Sequence, residues 1–179
     1  MATRRQAREW ALQLLFQFDL NPVEKLEDAF EEFWQRQVTA QAEDQDTRAS
    51  RTVLTREAAE AADPDQPVSP RIRAFTEKLV RGVVTHREPI DARLTEYVKN
   101  WPLHRMGGVE RNVMRMAFFE LFFDEETPPV VCINEAVDLA KYFSNAEAGR
   151  FVNGILDRAA REAKRPARRM EKSPVTREQ

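Results

Sequence analysis

The sequence is short of the residue types on which many protein chemistries depend. Among 179 residues there is one cysteine, Cys132, and there are two histidines, His86 and His104. A single thiol excludes an intramolecular disulfide framework and fits a reducing cytosol. No pair among these three residues has metal-ligand spacing, so no metal site is expected. There are only five glycines, and no Walker loop, dinucleotide fingerprint, nucleophile elbow or zinc-deaminase signature occurs. Gly107-Gly108 reads as a plain turn. No apolar run approaches the ~20 residues that cross a bilayer, and the N-terminus lacks a signal-peptide core. The expectation is a cytoplasmic protein with no membrane contact and no cofactor. Glu120, Asp124 and Glu125 gather near a helix end and read as a solvated terminus. Nothing in the sequence argues for an enzyme.

Nor does the overall charge announce a nucleic-acid binder, since 28 Lys and Arg stand against 30 Asp and Glu. Distribution carries more information than the sum. Arg4, Arg5 and Arg8 occupy the first helical turns with no acid before Glu9, and a second basic run extends from Arg158 to Lys172. Acids at a helix start suit the helix dipole, whereas these cations oppose it. They form either an ordinary solvated face or an anion-binding one.

What the chain has in quantity is helical periodicity. Thr3 caps a first helix running to about Asp19, with Asn21-Pro22 as its stop. Its main apolar face is Ala7, Trp10, Ala11, Leu14, Leu15 and Phe18; Arg5, Leu12 and Phe16 line up further round. A helix apolar on two sides is central to a fold or shares a face with a partner. A second helix spans about 23–38. Ser69-Pro70 opens a third, with Ile72, Phe75, Leu79 and Val83 inward and Pro89 at its end. A short fourth carries Ile90, Leu94, Tyr97 and Val98, and a fifth spans about 109–123. Residues 39–69, polar with two prolines, read as a flexible insertion with a helical turn around 55–62. Residues 164–179 read as a disordered basic tail. One domain over 1–163 is expected.

The last two helices carry the clearest wording. In Ile-Asn-Glu-Ala-Val-Asp-Leu-Ala-Lys-Tyr-Phe-Ser (133–144), Ile133, Ala136, Val137, Ala140 and Phe143 share a stripe. Asn134 and Lys141 lie on its flank, while Glu135, Asp138 and Tyr142 point away. After the polar break 144–150, Phe151, Val152, Ile155, Leu156 and Ala159 form the next apolar face. Gly154 stands off it, where a neighbouring backbone could approach. Ser144 or Asn145 is placed to cap this helix.

These blocks resemble the NusB family. Ile-Asn-Glu-Ala-Val-x-Leu-Ala-Lys-x-Phe-Ser followed by Phe-Val-Asn-Gly-Ile-Leu-Asp is similar to its C-terminal signature. Arg4-Arg5-x-Ala-Arg8 leading into Ala-Leu-Gln-Leu-Leu-Phe agrees, as does Asn100-Trp101-Pro102-Leu103 leading into Val109-Glu110-Arg111. The resemblance implies an all-α fold of about seven helices in two small packed bundles. It implies a non-catalytic transcription antitermination factor that binds boxA-type single-stranded RNA of ribosomal RNA transcripts. NusE, the small-subunit ribosomal protein, and the RNA polymerase antitermination complex would be its partners. Arg4, Arg5 and Arg8 would neutralise phosphates, with Lys141, Asn145, Arg150 and Phe151 as a second polar and aromatic cluster. Phe16, Glu110 and Arg111 would face NusE.

Each residue also has a plainer reading. Phe151 is either a base platform or the edge of the core, and Phe16 is either an interface ring or packing between bundles. Glu110 suits a helix start, and Asn134 is better read as structural. Ala148 and Gly149-Arg150 depart from the family wording, trading a hydroxyl for a cation. The same domain type also accompanies RNA-modifying enzymes, so an accessory subunit of an rRNA-modifying enzyme is an alternative. A homodimeric interaction protein with a covered RNA surface is another.

Overall fold

Among the described residues, seven α-helices follow from these patterns. The computed structural model describes residues 3–49, 68–98, 102–124 and 126–163, without the side chains of 38 and 40–49. The helices are α1 (Arg4–Leu20), α2 (Leu26–Ala49), α3 (Pro70–Thr85), α4 (Arg87–Tyr97), α5 (Gly108–Phe119), α6 (Pro129–Phe143) and α7 (Ala146–Ala163). A 3-10 turn at Leu103–Arg105 precedes α5, and a π turn at Glu120–Asp124 extends it.

α1 is the shared element of the two bundles. Its start is fixed by Thr3, whose Oγ1 accepts the Gln6 amide at 3.3 Å, and its end by the Asn21 amide bonded to Gln17 O. It packs on α3 on one side and on α5 on the other. Trp10, Leu14, Leu15 and Phe18 are buried, and so is Leu12 on the second side. This two-sided burial is what the double stripe in the sequence encodes. Trp10 meets Trp34 of α2 edge to face, ring centroids 5.5 Å apart, a geometry favoured by the ring quadrupoles. α5 is the core of the second bundle, with Val113, Met114, Met116, Ala117 and Phe118 all out of solvent. α4, α6 and α7 close around it. Burying each of these Val, Met and Phe side chains stabilises the fold by ~1.5–3 kcal/mol.

Several boundaries differ from expectation. α2 continues to Ala49, so the expected insertion begins within a helix. Residues 50–67, including the expected turn at 55–62, lie outside the described residues, as do Asn100, Trp101, Glu125 and the tail from 164. Pro89 does not end α3. That helix stops at Thr85, and Pro89 sits in the first turn of α4. A missing N–H there costs no intrahelical bond. Pro70 starts α3 as expected, but the Ser69 side chain makes no capping bond. Glu120 and Asp124 are not a solvated terminus. Glu120 is buried in the π turn, and Asp124 receives Lys78 Nζ at 2.5 Å.

Candidate nucleic-acid interface

Two antiparallel neighbours, α6 and α7, enclose a groove of about 540 Å³ lined by Asn134, Val137, Asp138, Lys141, Gly149, Arg150 and Asn153. The apolar stripes of both helices turn inward, with Ile133, Ala136, Leu139 and Ala140 against Val152, Ile155 and Leu156. Their polar flanks are thereby left facing each other across the groove. Asn145 sets the angle of α7 by accepting the Ala148 amide on Oδ1 at 2.9 Å, satisfying an amide the helix start leaves open. The expected cap is therefore Asn145 rather than Ser144, and its carbonyl oxygen is committed to that role.

The cations of the groove differ in their freedom. Among the described residues none forms an ion pair with Lys141. Arg150 is paired loosely with Glu147 at 3.7 Å, both side chains being exposed. Such a pair contributes little stability and yields readily to a phosphate. Asn134, expected to be structural, is exposed on the groove wall. Asn153 donates to Asp157 of its own helix at 3.3 Å.

The arginines of α1 separate into three environments. Arg5 reaches over to α6, donating to Asp138 Oδ2 at 3.2 Å and to Glu9 at 3.3 Å. It forms one bank of the groove through Asp138, which the sequence pattern had pointing away. Arg4 is exposed, its guanidinium 5.3 Å from the Phe75 ring. It borders a second groove of about 540 Å³ with Thr3, Arg71, Phe75, Lys78 and Glu126. Lys78 there is held by Asp124 and Glu126.

Arg8 corrects the expectation of three phosphate contacts. Its side chain is only 3% exposed and donates to both oxygens of Glu120, at 2.6 and 3.2 Å. Thr127 donates to the same carboxylate at 2.8 Å, and Glu135 lies 3.8 Å from the guanidinium. A bidentate pair sealed this deeply is part of the core. Cys132 is beside it, bonded to Ala117 O at 3.4 Å. Burial and the nearby Glu120 push its thiol well above the ordinary cysteine range, so it stays protonated and inert.

The expected partner face is centred on Gly107-Gly108. A Cβ on Gly107 would overlap the Glu110 carboxylate, and one on Gly108 would come 2.7 Å from the Phe16 ring. The backbone at Gly107 (φ −55°) is one that any residue adopts and the Glu110 carboxylate can swing aside, so it is at Gly108, under the Phe16 ring, that close approach favours glycine. Phe16 is 39% exposed. Glu110 Oε1 accepts Ser144 Oγ at 2.6 Å, which ties this face to the polar break between α6 and α7. Arg111 turns inward, bonded to Asp19 at 2.9 and 3.3 Å and to the carbonyls of Leu103 and Met106. Its guanidinium holds the 3-10 turn in place, so it is not a presented partner contact. Phe151, at 38% exposed, stands at the rim of α7.

Among the described residues no group of His, Cys, Asp and Glu is arranged to hold a metal ion, and no helix is long and apolar enough to cross a membrane. Two helical bundles sharing one central helix, with open cation-bearing grooves beside it, define an all-α protein with a surface site. A profile of the NusB family matches residues 46–161. The transcription antitermination protein NusB of an Exiguobacterium species is 40% identical over 159 residues, 89% of this chain and 98% of its own length. That of Symbiobacterium thermophilum is 38% identical over 154 residues, 86% of each. The structure of T. maritima NusB has a TM-score of 0.67 at 29% identity, covering 90% of this chain and 92% of that one. A structure of antitermination factors NusB and NusE in complex with dsRNA has a TM-score of 0.62 at 25% identity, covering 89% and 96%. This chain belongs to the NusB family.

Proposed function

We propose that this protein is a non-catalytic, cytoplasmic transcription antitermination factor. It binds boxA-type RNA of ribosomal RNA transcripts together with NusE, and so joins the RNA polymerase antitermination complex. The observation that carries the reading is the α6/α7 groove, lined by Asn134 and Lys141 of α6 and by Arg150 and Asn153 of α7, on the flanks of the family's signature helices. Arg5, at its bank, and Arg4, beyond it, extend the cationic track along α1. Phosphates would be neutralised by Lys141, Arg150, Arg4 and Arg5, with the asparagine amides and Phe151 available to bases. Phe16 and Glu110 would meet NusE, the Phe16 ring supplying apolar area on a face otherwise polar.

Names of relatives and the solved NusB–NusE complex support this reading. Because that complex holds double-stranded RNA, the test includes both forms. Fluorescence anisotropy with a boxA-like single strand, its duplex and a scrambled strand, each with and without NusE, should give tightest binding to the boxA-like single strand with NusE present. Equal weak binding to all three RNAs, unchanged by NusE, would count against the proposal.

A further inference from the structure

We infer that Gly149 is a positioning residue that lays the Lys141 side chain along the floor of the α6/α7 groove; this rests on the RNA-binding reading above. Gly149 is buried in the first turns of α7, and its α-carbon faces Lys141 of α6. A Cβ added there would overlap Lys141 Cγ and stand 3.0 Å from Cε and 3.2 Å from Cδ. Nearly the whole lysine stem therefore rests on the glycine. Lysine commonly beds its methylenes on a surface while the ammonium stays in water.

Glycine is a poor helix residue, because it gives up more backbone freedom than alanine. Gly149 nonetheless stands where the stem crosses, and any other residue would lift the stem away. Gly154 is the internal contrast: it lies in the same helix, and a Cβ there would meet nothing within 4 Å. The advantage of the Gly149 arrangement is preorganisation. A free lysine loses rotamer freedom when it fixes on a phosphate, whereas a stem already laid down has lost part of it beforehand. Lys141, free of ion pairs among the described residues, is the cation for which this matters most.

The test compares wild type, Gly149→Ala, Lys141→Ala, the double variant and Gly154→Ala. Each is titrated with a boxA-like single strand across a salt series. Acylation of Lys141 by an amine-reactive reagent is followed by mass spectrometry without RNA. Gly149→Ala should weaken binding about three- to tenfold, the net range of one ordinary hydrogen-bonded contact in water. The log K against log salt slope should shrink by about 0.7. Lys141→Ala should do the same, the double variant should lose nothing more, and Gly154→Ala should match wild type. Lys141 should acylate faster in Gly149→Ala. Multiplied losses in the double variant, or wild-type binding with unchanged acylation in Gly149→Ala, would overturn the assignment. Should Gly149→Ala melt early, recovery in the double variant supports the overlap with Lys141, and no recovery overturns it. If wild type binds no RNA, the function proposed above falls, while the acylation rates still decide the positioning.

Discussion

Arg8 and Glu120, 112 positions apart in the sequence, are joined by two hydrogen bonds of 2.6 and 3.2 Å in a site closed to solvent. The pair clamps α1 to the π turn after α5, and Thr127 and Glu135 complete its surroundings. Removing one member strands the other's charge in the core, at a cost of ~3–5 kcal/mol. Arg8→Ala should therefore lower the midpoint of chemical denaturation sharply. Arg8→Met combined with Glu120→Leu should recover part of the loss, because neither charge of the pair is then stranded, while the Thr127 hydroxyl still loses its acceptor and Glu135 its cation. RNA affinity of the folded fraction should keep its salt dependence. A stable Arg8→Ala protein with a flattened salt slope would instead make Arg8 a phosphate contact.

Asp19 is the second buried hub. Arg87 reaches it at 2.7 Å, Arg111 and Asn112 at 2.9 Å and Arg115 at 3.2 Å. Burial works to raise its pKa, but the bonds from Arg111 and Asn112 and the charge of Arg115 outweigh it and hold the carboxyl below its ordinary value. A folded pKa below the unfolded one gives stability that is present above the unfolded value near ~4 and lost as pH falls through the folded value. Asp19→Asn should be less stable at neutral pH and should decline less steeply below about pH 4. Parallel pH profiles for the two proteins would contradict this.

Phe16 rests on Gly108 with over a third of its surface open. If it meets NusE, Phe16→Ala should weaken NusE binding roughly tenfold or more, as loss of an aromatic anchor does. RNA binding by the protein alone should hold. Isothermal titration with NusE checks the first part, and undiminished affinity would remove Phe16 from the interface.

Phe151 can be separated from the core by a substitution that keeps volume. Phe151→Leu should leave the denaturation midpoint nearly in place and weaken single-strand binding by ~1–3 kcal/mol, the range for a base–aromatic stack. Full RNA affinity with reduced stability would return Phe151 to a packing role.

The fold was legible in the sequence because helix packing leaves a periodic record. The two faces of α1, the inward stripes of α6 and α7 and the cap at Asn145 all depend on neighbours within a few residues. The readings that failed depended on distant partners. Arg8 shares its flank of α1 with Arg4, and no spacing rule reveals that Glu120 stands opposite one and not the other. Arg111 opens α5 like any surface residue, yet Asp19, 92 positions earlier, claims it. Gly154 looked like the point of close approach, but that point is Gly149, where the Lys141 stem lies against α7. α2 ran past its expected end because nothing in 39–49 breaks a helix; the first proline after Pro22 is Pro64.

The central claim is that Lys141, Arg150, Arg4 and Arg5 neutralise the phosphates of one RNA strand, and salt dependence tests it most directly. Four contacts on a single strand give a slope of log K against log salt near −2.8, from about −0.7 each. Wild type titrated with a boxA-like strand across a salt series should give about that slope. Changing all four residues to Ala should bring it close to zero without loss of helicity. A steep slope surviving in the quadruple variant would contradict the account and place the RNA on another face of the protein.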